Sequence, residues 1–305
     1  MIVVTSGIKY TDIDGLASAI AYADLLKLQG KKALAVLVGP LNHSVTKTVR
    51  YWGLDYANNF HDLNNDFVLV NISEASHFPT FVNQNRIIRI LDNHYGFEKF
   101  WEERLSKESI IEPVGSCATL IWEQYRKTGL KDKIKTVDAC LLAAAIVSNT
   151  LDFKANVTKL KDIAAFKELE PKIGMEEGWI RQYFEEQEDK ILEDVMDAVI
   201  RDTKVQHIPN LKMDVVAGQL EFWDARLFME NNRKDVKNAL ESFDSENWFF
   251  VCPSIEEGKT YLYSENETIK NLLSKAMRTS FHGDIAETNK LYLRKEVLKN
   301  IYGLK

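Results

Sequence analysis

The feature that most constrains this 305-residue sequence is an alternation in its first half, where short β-branched runs are separated by stretches of helical periodicity. Strands spaced by a helix's worth of chain do not pair as hairpins; they join side by side through crossover helices and make a parallel sheet. Ile2-Val3-Val4, the run 33–38 and Phe67-Val68-Leu69-Val70 are continuously apolar, as strands covered on both faces must be, and the run 87–91 is apolar but for Arg89. Between the first two, Leu16, Ile20, Ala23 and Leu26 recur on one helical face, and Gly30 stands where a C-terminal cap belongs. Further helices are expected from Ser116 and over 138–147, the second rich in small residues that predict close packing.

The second half reads differently. Trp179, Tyr183, Phe184, Ile191, Val195 and Val199 keep helical spacing, but the charged run 185–190 interrupts the stripe. The expected organisation is an α/β domain with a mainly parallel sheet over 1–187, a linker at 188–192, and a smaller mixed α/β domain over 193–305. Within the latter, 248–252 and 260–263 predict a hairpin, followed by a helix near 267–276. Lys and Arg total 39 against 45 for Asp and Glu, a net charge of −6 that disfavours a nucleic-acid polymer as partner. The three cysteines, Cys117, Cys140 and Cys252, are far apart and without CxxC spacing, so neither a disulfide framework nor a thiolate zinc site is expected. Together with a start that lacks a signal peptide, and with no apolar run near the roughly 20 residues of a membrane helix, this predicts a cytoplasmic protein that does not enter membranes.

In open α/β sheets ligands bind beyond the carboxyl ends of the strands. There the sequence places Asp12 and Asp14 after the first strand, Asn71 and Glu74 after the third, and Asp92-Asn93-His94 after the fourth. These are metal-ligand and phosphate-contact residue types. Taken singly, Asp12 and Asp14 read equally as helix caps.

The residues also carry a family resemblance. The opening Thr5 to Tyr22, with Asp12-Ile13-Asp14, resembles the metal-binding start of the DHH phosphoesterases, in particular family II inorganic pyrophosphatases and exopolyphosphatases. Asp92-Asn93-His94 stands at the Asp-His-His signature, Glu112-Pro113-Val114-Gly115 resembles the loop before the next helix, and Ser148-Asn149-Thr150 through Lys154 resembles a later metal-binding segment. In the second half Asp202-Thr203-Lys204, Gly218-Gln219-Leu220-Glu221 and Leu293-Arg294-Lys295 resemble the DHH-associated domain. The resemblance implies a divalent metal, manganese or magnesium, at the sheet edge. It also implies hydrolysis of a phosphoanhydride (pyrophosphate, polyphosphate or nucleotide) in an inter-domain cleft, and a homodimer. It assigns Asp12, Asp14, Asn71, Asn93 and Asn149 to metal positions, Asp92 and His94 to catalysis, and Lys204, Arg294 and Lys295 to substrate phosphates.

Four positions depart from the family pattern: Ile8 and Asn93 replace ligand histidines, and Asn71 and Asn149 replace ligand aspartates. A neutral amide supplies a carbonyl oxygen but not the negative charge that holds two close divalent ions. Three readings stay open: a phosphoanhydride hydrolase with one ion or a rearranged site that recruits Glu74, His77 or Asp152; a pseudoenzyme that binds polyphosphate or nucleotide without turning it over, with one ion or none; and a cleft for an unrelated partner or small molecule. Gly258-Lys259-Thr260 imitates a P-loop tail but lacks the upstream glycine and reads as a hairpin turn, and Cys117 reads as a small buried residue.

Overall fold

The computed structural model describes residues 1–62, 64–208 and 212–304, so the expected domain end at residue 305 lies outside the described residues. The chain divides into two compact units, one of Met1–Phe153 and Val157–Tyr183, the other of Lys154–Asn156 and the chain from Phe184 onward.

In the first unit the apolar runs become strands β1 (Ile2–Thr5), β2 (Ala33–Val36), β3 (Asp66–Val70) and β4 (Ile87–Asp92), joined by a short β5 (Ser109–Ile111). All pair in parallel, in the order β2-β1-β3-β4-β5. Val3, Val4, Val36, Phe67, Leu69 and Ile90 are buried to 1% exposure or less, which is why these runs lack the alternation of a half-exposed strand. The helices are α1 (Ile13–Leu28), α2 (Lys47–Arg50), α3 (Glu98–Leu105), α4 (Cys117–Lys127), α5 (Thr136–Thr150), α6 (Leu160–Ile173) and α7 (Trp179–Glu193), the last passing into the second unit. Helix α1 is buried nearly all round, from Ile13 to Leu26, rather than on one face. Its alanines at 17, 19, 21 and 23 let it pack against the sheet and against both α4 and α5. Gly30 adopts φ +78° just past its end, a conformation that glycine takes without penalty. Residues 188–192, where a linker is expected, are part of α7.

The second unit holds α8 (Val195–Arg201), β6 (Thr203–Ile208), β7 (Met213–Gln219), α9 (Ala225–Glu241), β8 (Trp248–Ser254), β9 (Lys259–Tyr263), α10 (Glu267–Met277), β10 (Phe281–His282), β11 (Ile285–Glu287) and α11 (Arg294–Tyr302). Its sheet runs β10-β11-β9-β8-β7-β6 and is mixed: β7 and β8 are parallel and the other neighbours antiparallel. The expected hairpin is β8–β9, with Phe250 opposite Tyr263 and Ser254 opposite Lys259 at the turn. One face of this sheet buries Val216, Phe250 and Tyr261 with α9, and the other buries Val215, Phe249 and Leu262 with α10 and α11. Each such large apolar side chain contributes about 1.5–3 kcal/mol on burial. No described helix is long and apolar enough to cross a membrane, and all three cysteines are buried and unpaired by disulfides.

Candidate functional site

Every strand of the parallel sheet ends at the same edge, so the loops after β1, β3, β4 and β5 converge there. The loop after β1 is drawn tight by close backbone approaches: a Cβ on Gly39 would lie 2.9 Å from the Tyr10 carbonyl carbon. Its last residue, Asp12, caps α1 by accepting from the Gly15 amide at 2.7 Å. Cap and candidate ligand are therefore the same residue, with the Asn71 side-chain amide donating to the same oxygen at 3.2 Å. Burial raises the Asp12 pKa, against the pull of the Gly15 amide and the nearby His94.

Asp14 is fully buried and saturated with donors. It accepts from Ser116 Oγ, from the Cys117 and Ala118 amides at 2.8 Å each, and from the Asn149 amide nitrogen at 2.6 Å. Its carboxylate thus sits on the amino terminus of α4, where exposed amides and the helix dipole favour negative charge. Desolvation, with Asp12 alongside, still pushes its carboxyl up to about 7. Beneath this, Asp162 of α6 accepts from the Gly115 amide at 2.9 Å and from Thr119 Oγ1 at 2.6 Å, fixing the loop that presents the helix end. Sequence reasoning missed Asp162, whose only signal is a carboxylate at the start of a helix.

After β3, Asn71 takes φ +58°, a left-handed conformation that asparagine tolerates better than most residues. After β4, Asp92 is fully buried and holds His94 through Nδ1 at 2.8 Å, an interaction that raises the His94 pKa. Asn93 directs its amide nitrogen at the Val114 and Gly115 carbonyls, at 3.4 and 3.3 Å. Because the Asn71 and Asn93 nitrogens and Asp92 Oδ1 are committed, the opposite oxygens are fixed in place: Asn71 Oδ1, Asp92 Oδ2 and Asn93 Oδ1 are all buried and meet no donor. Asn71 and Asp92 line a pocket of about 400 Å³ together with Asp12, His94, Lys9 and Tyr95. Glu74 and His77 also line it, their side chains 3.8 Å apart. Trp101 of α3 anchors the β3 loop by donating to the Ser73 carbonyl at 2.8 Å.

These residues do not fit a two-cation centre. No group of three or more His, Cys, Asp or Glu side chains able to hold a metal ion occurs among the described residues. Asp14 points its oxygens at helix amides, and the Asn149 and Asn71 nitrogens occupy directions on Asp14 and Asp12 from which a cation would approach. The orphaned acceptors that remain, on Asn71 after β3 and on Asp92 and Asn93 at the end of β4, are oxygens of the kind a hard cation takes. Helix α5 ends at Thr150, and the next three residues, Leu151, Asp152 and Phe153, all have positive φ, at 48°, 52° and 63°. Such residues cost of order 1–3 kcal/mol each and persist where the surroundings dictate them.

In the second unit, Arg294 opens α11 and is 8% exposed. Its guanidinium donates to Asp202 Oδ1 at 2.9 Å, to the Asp202 carbonyl, and to the Ala217 carbonyl at 3.2 Å. Lys204 lies on β6 opposite Ala217 and is exposed, as is Lys295. Gln219 accepts from the Arg294 amide and donates to Glu221, whose burial, with Asp202 nearby, pushes its carboxyl up to about 7.

No protein-family model matches the chain. It is similar to proteins named probable manganese-dependent inorganic pyrophosphatase. That of Bacillus licheniformis is 30% identical over 166 residues, covering 53% of this chain and 52% of that protein. That of Bacillus cereus is 29% identical over 175 residues, covering 55% of this chain and 54% of that protein. The chain spans about half the length of these curated relatives. A candidate family II inorganic pyrophosphatase from Methanococcus jannaschii superposes with a TM-score of 0.62 at 22% identity, covering 99% of both chains. An exopolyphosphatase-related protein from Bacteroides fragilis does so with a TM-score of 0.53 at 17% identity, covering 99% of this chain and 90% of that one. A five-stranded parallel sheet, a separate six-stranded mixed sheet and this likeness give the chain the two-sheet α/β fold of the Methanococcus jannaschii structure, and over about half its length it is similar in sequence to proteins named manganese-dependent inorganic pyrophosphatase.

Proposed function

We propose that the protein is a phosphoesterase-like protein that binds a phosphoanhydride at the carboxyl edge of the parallel sheet together with one hard divalent cation, magnesium or manganese. The observation that carries this reading is the set of buried, donorless oxygens on Asn71, Asp92 and Asn93 beside Asp12. Uncompensated buried acceptors cost about 1–3 kcal/mol each, and an oxygen-seeking cation removes that cost. The curated relatives are named as manganese-dependent pyrophosphatases, which supports the choice of ligand class. Asp12, Asn71, Asp92 and Asn93 would hold the cation, whose chemistry is to neutralise phosphoryl oxygens. His94, positioned by Asp92, has Nε2 as the nitrogen left for a phosphate oxygen. On the second unit, Lys204 and Lys295 are the exposed cations that the resemblance assigns to phosphate.

A second reading, binding without turnover, is favoured by one observation: Asn149 donates to Asp14, so that pair presents no anionic site for a second ion. Thermal melts with magnesium or manganese, and with pyrophosphate, tripolyphosphate or ADP, test the binding reading. A ligand at about 100 times its Kd stabilises the folded state by about 2.7 kcal/mol. A melting temperature raised by cation and phosphoanhydride together is expected, and no shift with any of the three phosphates would overturn it. Phosphate release measured on the same samples then separates hydrolase from binder.

A further inference from the structure

The pocket beside Asp12 carries a charge that the binding reading leaves without a role. Asp12, Glu74 and Asp92 put three carboxyl groups on its walls. A phosphoanhydride is itself an anion, so such walls disfavour it, and a lone divalent cation has to offset wall and ligand together. Among the described residues that line the pocket, Lys9 is the only lysine or arginine.

Two observations set Lys9 apart from an ordinary surface lysine. The first is that its backbone is held on both sides. The Ile8 amide donates to the His77 carbonyl at 3.0 Å, the Thr11 amide to the Pro40 carbonyl at 2.8 Å, and Thr11 Oγ1 to the Gly39 carbonyl at 3.2 Å. Only the Lys9 side chain is left to order when a ligand arrives, so little conformational entropy opposes its use. The second is that its ammonium is uncommitted. Lys9 is exposed and makes no ion pair or hydrogen bond among the described residues, although three carboxyl groups share its pocket. Other lysines of the same unit are engaged: Lys27 with Asp24 and Asp55, Lys135 with Asp24, and Lys161 with Glu112. A lysine placed to neutralise the pocket carboxylates would be paired with one of them, as those lysines are with theirs.

Resting on the phosphoanhydride reading above, we propose that Lys9 is a ligand-contact residue, its ammonium donating directly to a phosphoryl oxygen. The protein then supplies from its own chain part of the positive charge that the second ion of a two-cation centre would bring. Lysine suits that place, because its ammonium is a compact charge with three donors on a flexible stem and binds phosphate as a point charge.

The test is calorimetric titration of the full chain with pyrophosphate in magnesium, and with magnesium alone, for Lys9→Gln, Lys9→Arg and Lys31→Gln. Lys31 is exposed beyond the far end of α1, so its loss removes the same charge away from the pocket. Lys9→Gln should weaken pyrophosphate about tenfold, the scale of one hydrogen bond to a charged group. Magnesium alone should bind that variant as tightly as before or more tightly, because a like charge has left the pocket. Lys9→Arg should recover most of the pyrophosphate affinity, and Lys31→Gln should change neither ligand. A general loosening of the loop cannot weaken one ligand while sparing the other. Unchanged pyrophosphate affinity in Lys9→Gln, an equal loss in Lys31→Gln, or pyrophosphate and magnesium weakening together would each overturn the Lys9 assignment while leaving the phosphoanhydride reading standing. If the unaltered protein binds neither pyrophosphate nor tripolyphosphate, the phosphoanhydride reading itself fails.

Discussion

A single amide nitrogen decides what Asp14 can do. At 2.6 Å the Asn149 side chain donates to a carboxylate that already takes two helix amides and a serine hydroxyl. Asn149→Asp would set a second carboxyl against one whose pKa already stands at about 7. Above that pH the variant buries like charge in place of a hydrogen bond, and we expect a loss of about 3 kcal/mol, the scale of an uncompensated buried charge. Manganese should restore much of that loss in the variant while moving the melting temperature of the unaltered protein less. Thermal melts at pH 8, with and without manganese, read both effects; an unchanged melting temperature in the metal-free variant would show that the amide is not what holds Asp14. The sequence made the position of Asp14 legible, because a carboxylate two residues after Asp12 must open the same helix. It did not make its partners legible. Ser116, Cys117, Ala118 and Asn149 lie more than 100 residues away, and only the packing of α1 against α4 and α5 brings them to it.

Helices and strands were legible to the extent that burial leaves a local pattern. The four runs became β1 to β4 because strands covered on both faces must be largely apolar, and β4 departs from this only at its near end, with Ile88 exposed and Arg89 half-buried. Strand β5 escaped notice because Ser109-Ile110-Ile111 is too short and only half-buried, and β6 because its exposed Lys204 and Val205 look like surface chain. The close packing predicted for α5 is borne out against α1, and it has an electrostatic consequence. Asp138 on α5 is 1% exposed with neither oxygen hydrogen-bonded, while Asp24 on α1 is occupied by Lys27 and Lys135. Burial first, and the Asp24 charge second, raise the Asp138 pKa from 3.8 to about 7. The folded state therefore holds a proton that the unfolded chain releases, so this contribution to stability is complete below about pH 4 and is lost as the pH rises through about 7. Asp138→Asn should leave stability at pH 4 nearly unchanged and raise it by about 1–3 kcal/mol at pH 8, where the charge no longer has to be buried. Urea unfolding at the two pH values checks this, and a gain of equal size at both would point to packing rather than ionisation.

At the scale of the whole molecule, two sheets of different topology divide the work of carrying charge. The parallel sheet collects Asp12, Asp14 and Asp92 at one edge, and the second unit carries the basic residues that the family resemblance assigns to phosphates, Lys204 on β6 and Arg294 and Lys295 on α11. Those basic residues are not equivalent. The Arg294 guanidinium is nearly buried and bound to Asp202 and to the Ala217 carbonyl, tying α11 to the start of β6 and to β7. Lys204 and Lys295 are exposed. Removing one member of a buried ion pair costs about 3–5 kcal/mol, and the partial exposure of Asp202 reduces the expected loss for Arg294→Ala to about 1–3 kcal/mol. Lys204→Ala and Lys295→Ala should stay within about 0.5 kcal/mol of the unaltered stability, as exposed substitutions usually do. If these lysines hold distal phosphates, each should instead weaken tripolyphosphate binding about tenfold, or about 1.4 kcal/mol. Guanidinium unfolding and calorimetric titration on the three variants separate the two kinds of loss. Arg294→Ala with full stability but lost affinity would mean that the guanidinium leaves Asp202 to meet the ligand. Stability lost in Arg294→Ala alone, with affinity lost in the two lysine variants, would assign scaffold and ligand-holding roles to different residues of one basic cluster.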